Sequence, residues 1–259
     1  MNKGLLLTIE KYNANILAIL NKEFKIKENS NMNIELLEKN TYETIKNYTY
    51  RVLRSNIIDL NLKPGESISE SEIASNLNVS RTPVREAFSL LVSEELLEIY
   101  PQKGTLISYI NLKRVEEARF MRLKLEQAVV GLACENFPEN SLFELESNIN
   151  QHQFCILKKK YTAAFNLDNS FHELIFKGCN KERIWNAIHF MNGDFDRIRA
   201  LVLISSVNMD IVVAQHKGII DAIKAKDSKK GVKIVRAHLT KVNDDKMILL
   251  REYPKYFKE

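Results

Sequence analysis

The sequence predicts a mainly α-helical protein in two parts, an N-terminal winged helix-turn-helix followed by an all-helical antiparallel bundle. Three observations carry this reading. Pro64, Gly65, Pro83, Pro101 and Gly104 crowd into residues 60–105, where short helical patterns alternate with turns and end in two β-prone stretches. Beyond about residue 110 the apolar positions repeat at helical spacing in long runs with short breaks, the pattern of helices packed back on one another. The length, 259 residues with 45% hydrophobic and 27% charged, suits two domains with ordinary cores.

Residues 1–40 form an N-terminal extension of unknown role. Leu5, Leu6, Ile9, Ile16, Leu17, Ile19 and Leu20 suggest one or two weak helices, and Met32 is an alternative start. Residues 41–110 read as the DNA-binding domain. Tyr42, Ile45, Tyr48, Val52, Leu53 and Ile57 mark a first helix, closed by the turn Asn61–Gly65. Ser69 before Glu70-Ser71-Glu72 is an N-cap signal, Ile73, Ala74 and Leu77 are the buried face, and Asn78 is a left-handed stop. Ser80 caps the next helix with Pro83 in its first turn. Ile99-Tyr100 and Thr105–Ser108 flank the tight loop Pro101–Gly104 as a two-stranded wing. Residues 111–252 form the second domain, with helices expected over 111–135, 141–159, 161–178, 181–204, 209–226 and 228–251.

Bulk charge does not argue for nucleic acid. The net is +5, yet residues 41–110 hold seven basic and nine acidic side chains, and most of the excess lies beyond residue 110. Three Cys without CxxC spacing suit a reducing, cytoplasmic setting, and no apolar run reaches the length that spans a bilayer. A nucleic-acid reading therefore rests on individual side chains. Arg81 and Arg85 lie i,i+4 on one helix face, Ser80 and Thr82 add hydroxyls at its N-terminus, and Lys103-Gly104 place a cation and a compact residue at the wing tip. An ordinary solvated helix with two surface arginines has the same spacing.

In the bundle, Asp168 and His172 share a helix face at i,i+4, and His216 and His238 sit within later helices. Three imidazoles and one carboxylate would suit Zn²⁺, with Ni²⁺ or Mn²⁺ as alternatives, if the fold brings them together. Spacing alone equally allows four unrelated polar residues. His152 and His189 read as ordinary helix residues, Trp185 as packing, and Arg122 by its spacing as a surface partner of Glu126 at i+4.

Ser80-Arg81-Thr82-Pro83-Val84-Arg85-Glu86-Ala87, with Leu90, Leu91, Glu95-Leu96-Leu97 and Gly104 after it and Leu62–Glu66 and Glu72-Ile73-Ala74 before it, closely resembles the DNA-binding signature of the GntR family of bacterial transcription regulators. The resemblance implies that Ser80, Arg81, Thr82 and Arg85 contact operator DNA and that Gly104 enters the minor groove. Two departures stand out. Ser71 is small and uncharged where some members carry an arginine, and Glu95-Leu96-Leu97 stands where a Gly-Leu pair is usual. Arg122–Glu126, Asp168 with Phe171, His172 and Asn180, His216 with Asp227, and Arg236–Leu239 more diffusely resemble the FCD effector domain of FadR-type members. That likeness implies a divalent metal on Asp168, His172, His216 and His238 and a small carboxylate effector near Arg122. It further implies a homodimer on a palindromic operator, more often as a repressor than an activator. A metal-sensing regulator and a metal-dependent enzyme are the rival readings of the same residues.

Overall fold

Residues 32–101, 104–205 and 210–258 are described by a computed structural model. Tyr42, expected on the first helix's apolar face, is exposed, and helix α1 (Ile45–Ile58) begins at the Thr44 cap. The described segment before it, residues 32–44, holds no helix, and the weak helices expected over residues 5–20 lie outside the described residues. Buried Asn56 accepts from the Glu35 backbone N–H at 2.7 Å and donates to its carbonyl at 2.9 Å, holding that segment as a neighbouring strand would. Helix α2 (Glu70–Leu77) opens on a complete Ser69–Glu72 capping box and ends at Asn78, left-handed at φ 53°. Helix α3 (Arg81–Ser93) follows, with Ser80 at its N-cap but making no side-chain cap bond.

The wing has a strand that the sequence did not announce. Strands β1 (Ser67–Ile68), β2 (Leu97–Tyr100) and β3 (Gly104–Ile107) form an antiparallel sheet in the order β1-β3-β2. Two residues are too few for an alternating pattern to register in a sequence. Gly65, which turns the chain into β1, has φ +82°, and a Cβ there would lie 2.6 Å from the Tyr109 hydroxyl. Glu95 occupies the position where a glycine is usual and adopts φ +58° regardless. Its carbonyl accepts from Ser108 Oγ at 2.6 Å and its carboxylate pairs with Arg114 at 3.1 Å, which offsets the cost of the conformation.

The bundle comprises α4 (Leu112–Glu135), α5 (Glu139–Leu157), α6 (Tyr161–Gly178), α7 (Glu182–Met191), α8 (Gly193–Ile204), α9 (Asp210–Lys224), α10 (Ser228–Thr240) and α11 (Val242–Glu252). Helix α4 packs on α10, α5 on α6, and α9 on both α10 and α5. Two expected helices are each divided. The stretch 181–204 breaks at Asn192, and the next residue, Gly193, receives Leu96 so closely that a Cβ would meet its methyl at 2.8 Å. The stretch 228–251 breaks at Lys241, where Thr240 bonds back to the Arg236 carbonyl at 2.6 Å and competes with the helix ladder.

Helix α8 is buried along nearly its whole length and carries Asp194, Asp196, Arg197 and Arg199. Arg197, fully buried, donates to the Ser108 carbonyl at 2.5 Å and to its hydroxyl at 3.1 Å, and pairs with Asp194. Arg114 reaches Asp194 at 2.5 Å. On the other side Arg54 of α1 pairs with Glu94 at 2.7 Å and donates to the His189 carbonyl at 3.0 Å. Phe165 and Leu203 of the bundle join the apolar core of the winged part. Replacing Arg197 by Met should leave Asp194 with Arg114 alone and remove the donor of the Ser108 carbonyl, lowering stability by about 3 kcal/mol. A clear drop in the urea midpoint checks this, and an unchanged midpoint refutes it.

Candidate functional site

At the N-terminus of α3 the side chains of Ser80, Arg81, Thr82 and Arg85 are all exposed. Ser80 leaves its hydroxyl uncommitted to the helix, as a phosphate contact would require. Arg85 is held by Glu70 through two bonds of 3.0 Å from Nε and Nη2, so its guanidinium lies flat against the start of α2. Gly104 sits at φ +100° with open space about it, so the wing tip needs glycine for its backbone rather than for room. Lys103, the other wing-tip candidate, lies outside the described residues.

In the bundle the fold brings together Asp168 and His172 of α6, His216 of α9 and His238 of α10. One ligand-capable atom from each lies within 4.8 Å of the others. His172 Nδ1 faces the buried Glu126 carboxylate at 2.8 Å, which can only accept, so that nitrogen carries the proton. His238 Nδ1 faces Gln215 Oε1 at 3.0 Å in the same way. The two Nε2 atoms face one another at 3.3 Å, and in neutral rings of that tautomer both would be bare. Two facing lone pairs repel unless a cation lies near them. His216, fully buried, has no hydrogen-bond partner on either nitrogen among the described residues, while its ring stacks on Phe171 with centroids 4.0 Å apart. Its Nε2 points at Asp168 Oδ1, 3.6 Å away. Three imidazoles and one carboxylate, two of the imidazoles oriented by outer hydrogen bonds, fit a divalent metal of the zinc type.

The protonation pattern agrees with that donor set. Burial pushes His216 well below the usual imidazole range and His238 down to about 3, so both are neutral and able to ligate. Burial alone would raise Asp168, but the Arg199 guanidinium beside it outweighs that and keeps the carboxylate ionised. Arg199 pairs directly with Asp168 and bridges to Asp196 at 2.7 Å.

Arg122 is neither a surface residue nor free of Glu126. It is fully buried, bonded to Glu126 at 2.6 Å through Nε, with Nη1 and Nη2 unpartnered among the described residues. It lines a cavity of about 60 Å³ together with His152, Asp168, Arg199, His238 and Lys241. His152 thus departs from its reading as an ordinary helix residue. It is fully buried and faces the cavity, a position that sequence spacing gave no means of seeing. Glu126 and Arg199 were likewise not assigned to the site. Their signal was the charge held within apolar helices, in Arg122–Glu126 and in Asp194-x-Asp196-Arg197-x-Arg199.

Two known families match the chain. The family described as bacterial regulatory proteins, gntR family, covers residues 45–107, and the FCD domain covers residues 117–241. A regulator from Streptomyces ambofaciens, described as an HTH-type transcriptional regulator in an unstable DNA locus, is 32% identical over 197 residues, covering 76% of this chain and 82% of that protein. The chain belongs to the GntR family. The HTH-type transcriptional repressor RspR of Escherichia coli is 29% identical over 220 residues, spanning 85% of this chain and 96% of the relative. The solved structure of E. coli McbR/YncC shares the fold with a TM-score of 0.70 at 22% identity, covering 82% of this chain and 99% of that one. This GntR regulator binds DNA through its winged domain and carries an FCD domain. Its families and relatives are transcription regulators and not enzymes. Among the described residues no helix is long and apolar enough to cross a membrane.

A pH dependence follows from the junction as well as from the cluster, whose His216 and His238 are lowered by burial in the same way. Burial, assisted by Arg54, pushes His189 of this regulator down to about 4. The unfolded chain takes that proton near pH 6.5, so the stabilisation is complete above that value and is lost as pH falls towards 4. Thermal midpoints of the chelator-treated protein should therefore fall between pH 7 and pH 5, and His189→Gln should flatten the slope. An equal slope in the variant would exclude His189 as the source.

Proposed function

We propose that the protein is a cytoplasmic, ligand-responsive repressor. It binds a palindromic operator as a homodimer and is released by a small carboxylate held beside a divalent metal in the FCD domain. The observation that carries this reading is the buried cluster, in which Asp168, His172, His216 and His238 converge beside a cavity lined by Arg122, two of whose nitrogens are unpartnered among the described residues. Asp168, His172, His216 and His238 would hold the ion, with zinc favoured and nickel or manganese as alternatives. When bound, the metal would supply positive charge that attracts an anionic effector. Arg122 would orient that anion through its free fork, and Glu126 keeps the guanidinium in place. On the DNA side Arg81 and Arg85 would read base edges, Ser80 and Thr82 would fix the backbone, and Lys103 and Gly104 would follow the wing into the minor groove. Two half-sites one helical turn apart require two reading helices at fixed spacing, which is the reason for the dimer.

The two sites have a material connection. Asp168 pairs with Arg199, Arg199 with Asp196, and Asp196 accepts from Asn192 at 2.5 Å, next to the glycine that receives Leu96 of the winged part. An effector that favours one arrangement of this chain of contacts would shift the seating of the reading helices by its differential affinity.

Arg81→Ala should weaken binding to the upstream promoter fragment by about 1–3 kcal/mol, roughly 5- to 150-fold, in a gel-shift or anisotropy titration. Unchanged affinity would remove Arg81 from the reading set. Elemental analysis should find about one divalent ion per chain in the purified protein and a large loss in His216→Ala. A metal-free wild type grown with available zinc, nickel and manganese would count against the site. Arg122→Met should keep operator binding while abolishing release by acid metabolites. If chelation alone releases the operator and no acid does, the ion itself is the signal.

A further inference from the structure

His152 is one of the polar residues in the cavity wall, with Arg199 and Lys241, that belong neither to the four-residue cluster nor to the Arg122 fork. It stands on α5, fully buried, and neither ring nitrogen has a hydrogen-bond partner among the described residues. Its ring centroid lies 5.7 Å from that of His216, yet it stands outside the group of four whose ligand atoms converge. A buried imidazole left unpaired on both sides forfeits a donor and an acceptor, which folded proteins rarely tolerate without a reason. The cavity it faces, about 60 Å³, has room for roughly four to six waters at about 10–15 Å³ each, or for a ligand of a few heavy atoms.

We propose that His152 hydrogen-bonds a hydroxyl of the bound molecule, so that the cavity selects small hydroxy acids over the same acids without the hydroxyl. The inference rests on the cavity being an acid site. Arg122 serves the carboxylate with two nitrogens that only donate, and Arg199 is already committed to Asp168 and Asp196. His152 is different in kind: a neutral imidazole offers one N–H and one bare nitrogen. A carboxylate can only accept and an ammonium can only donate, so each meets one half of it. A hydroxyl meets either nitrogen, accepting from the N–H or donating to the bare ring atom. A second anionic arm would also lie in a cavity whose wall includes the ionised Asp168.

Calorimetric titration of the full-length protein with two matched pairs, glycolate against acetate and lactate against propionate, tests the contact. The wild type is expected to bind each hydroxy acid about tenfold more tightly than its partner, the scale of one net hydrogen bond. In His152→Leu and in His152→Phe, neither of which can hydrogen-bond, the ratio should fall to within twofold while acetate and propionate affinities stay within threefold. His152→Gln, which keeps a donor and an acceptor, should recover part of the preference. A preference that survives in a folded Leu or Phe variant overturns the role of His152. Equal binding of both members of each pair by the wild type overturns the hydroxyl selection and leaves the acid site standing. Binding of none of the four acids overturns both.

Discussion

The structure depends on keeping four charged side chains of one buried helix paired. Helix α8 carries Asp194, Asp196, Arg197 and Arg199 through the middle of the molecule, where an unpaired charge would cost several kcal/mol. Each is answered from a different quarter. Arg197 reaches Ser108, Asp194 is shared with Arg114, Asp196 is bound by Asn192 and Arg199, and Arg199 meets Asp168 of the His/Asp cluster. Because the partners belong to the stretch after β3, the bundle and the candidate ligand site, satisfying this one helix fixes the position of all three. An apolar helix there would pack as well but would tolerate sliding, whereas hydrogen-bonded ion pairs accept only one register.

The winged part was largely legible in the sequence because its determinants are local. The Ser69–Glu72 box, the Asn78 stop, the Ser80 cap and the glycine at the wing each act within a few residues of themselves. What stayed hidden is non-local. Strand β1 exists only because Ser67 and Ile68 meet Leu106 and Thr105 across the sheet. Beside the break at Asn192, Leu96 presses on Gly193, a contact between residues about a hundred positions apart. The left-handed Glu95 also ran against expectation, since its stabilising partners, Ser108 and Arg114, come from beyond the wing.

The candidate site divides in the same way. Asp168 and His172 could be paired from spacing, and the likeness to FCD domains named His216 and His238 beside them. The residues that set the chemistry of the cavity could not be read. Glu126 fixes the tautomer of His172 from another helix, Arg199 holds the carboxylate of Asp168, and His152 turns inward from α5. Side-chain convergence from separate helices leaves no periodic trace. The hint was energetic: Arg122 and Arg199 carry charge on helices whose neighbouring positions are apolar, and such charges persist only where something answers them.

The bond between Glu70 and Arg85 has a kinetic side. A guanidinium already gripped by a carboxylate offers little to a passing phosphate, and the winged part as a whole is acidic. The sequence-independent attraction that comes from releasing counterions is therefore weak on this surface. The protein's residence on a site is left to the fit of a few groups rather than to the pull of many charges.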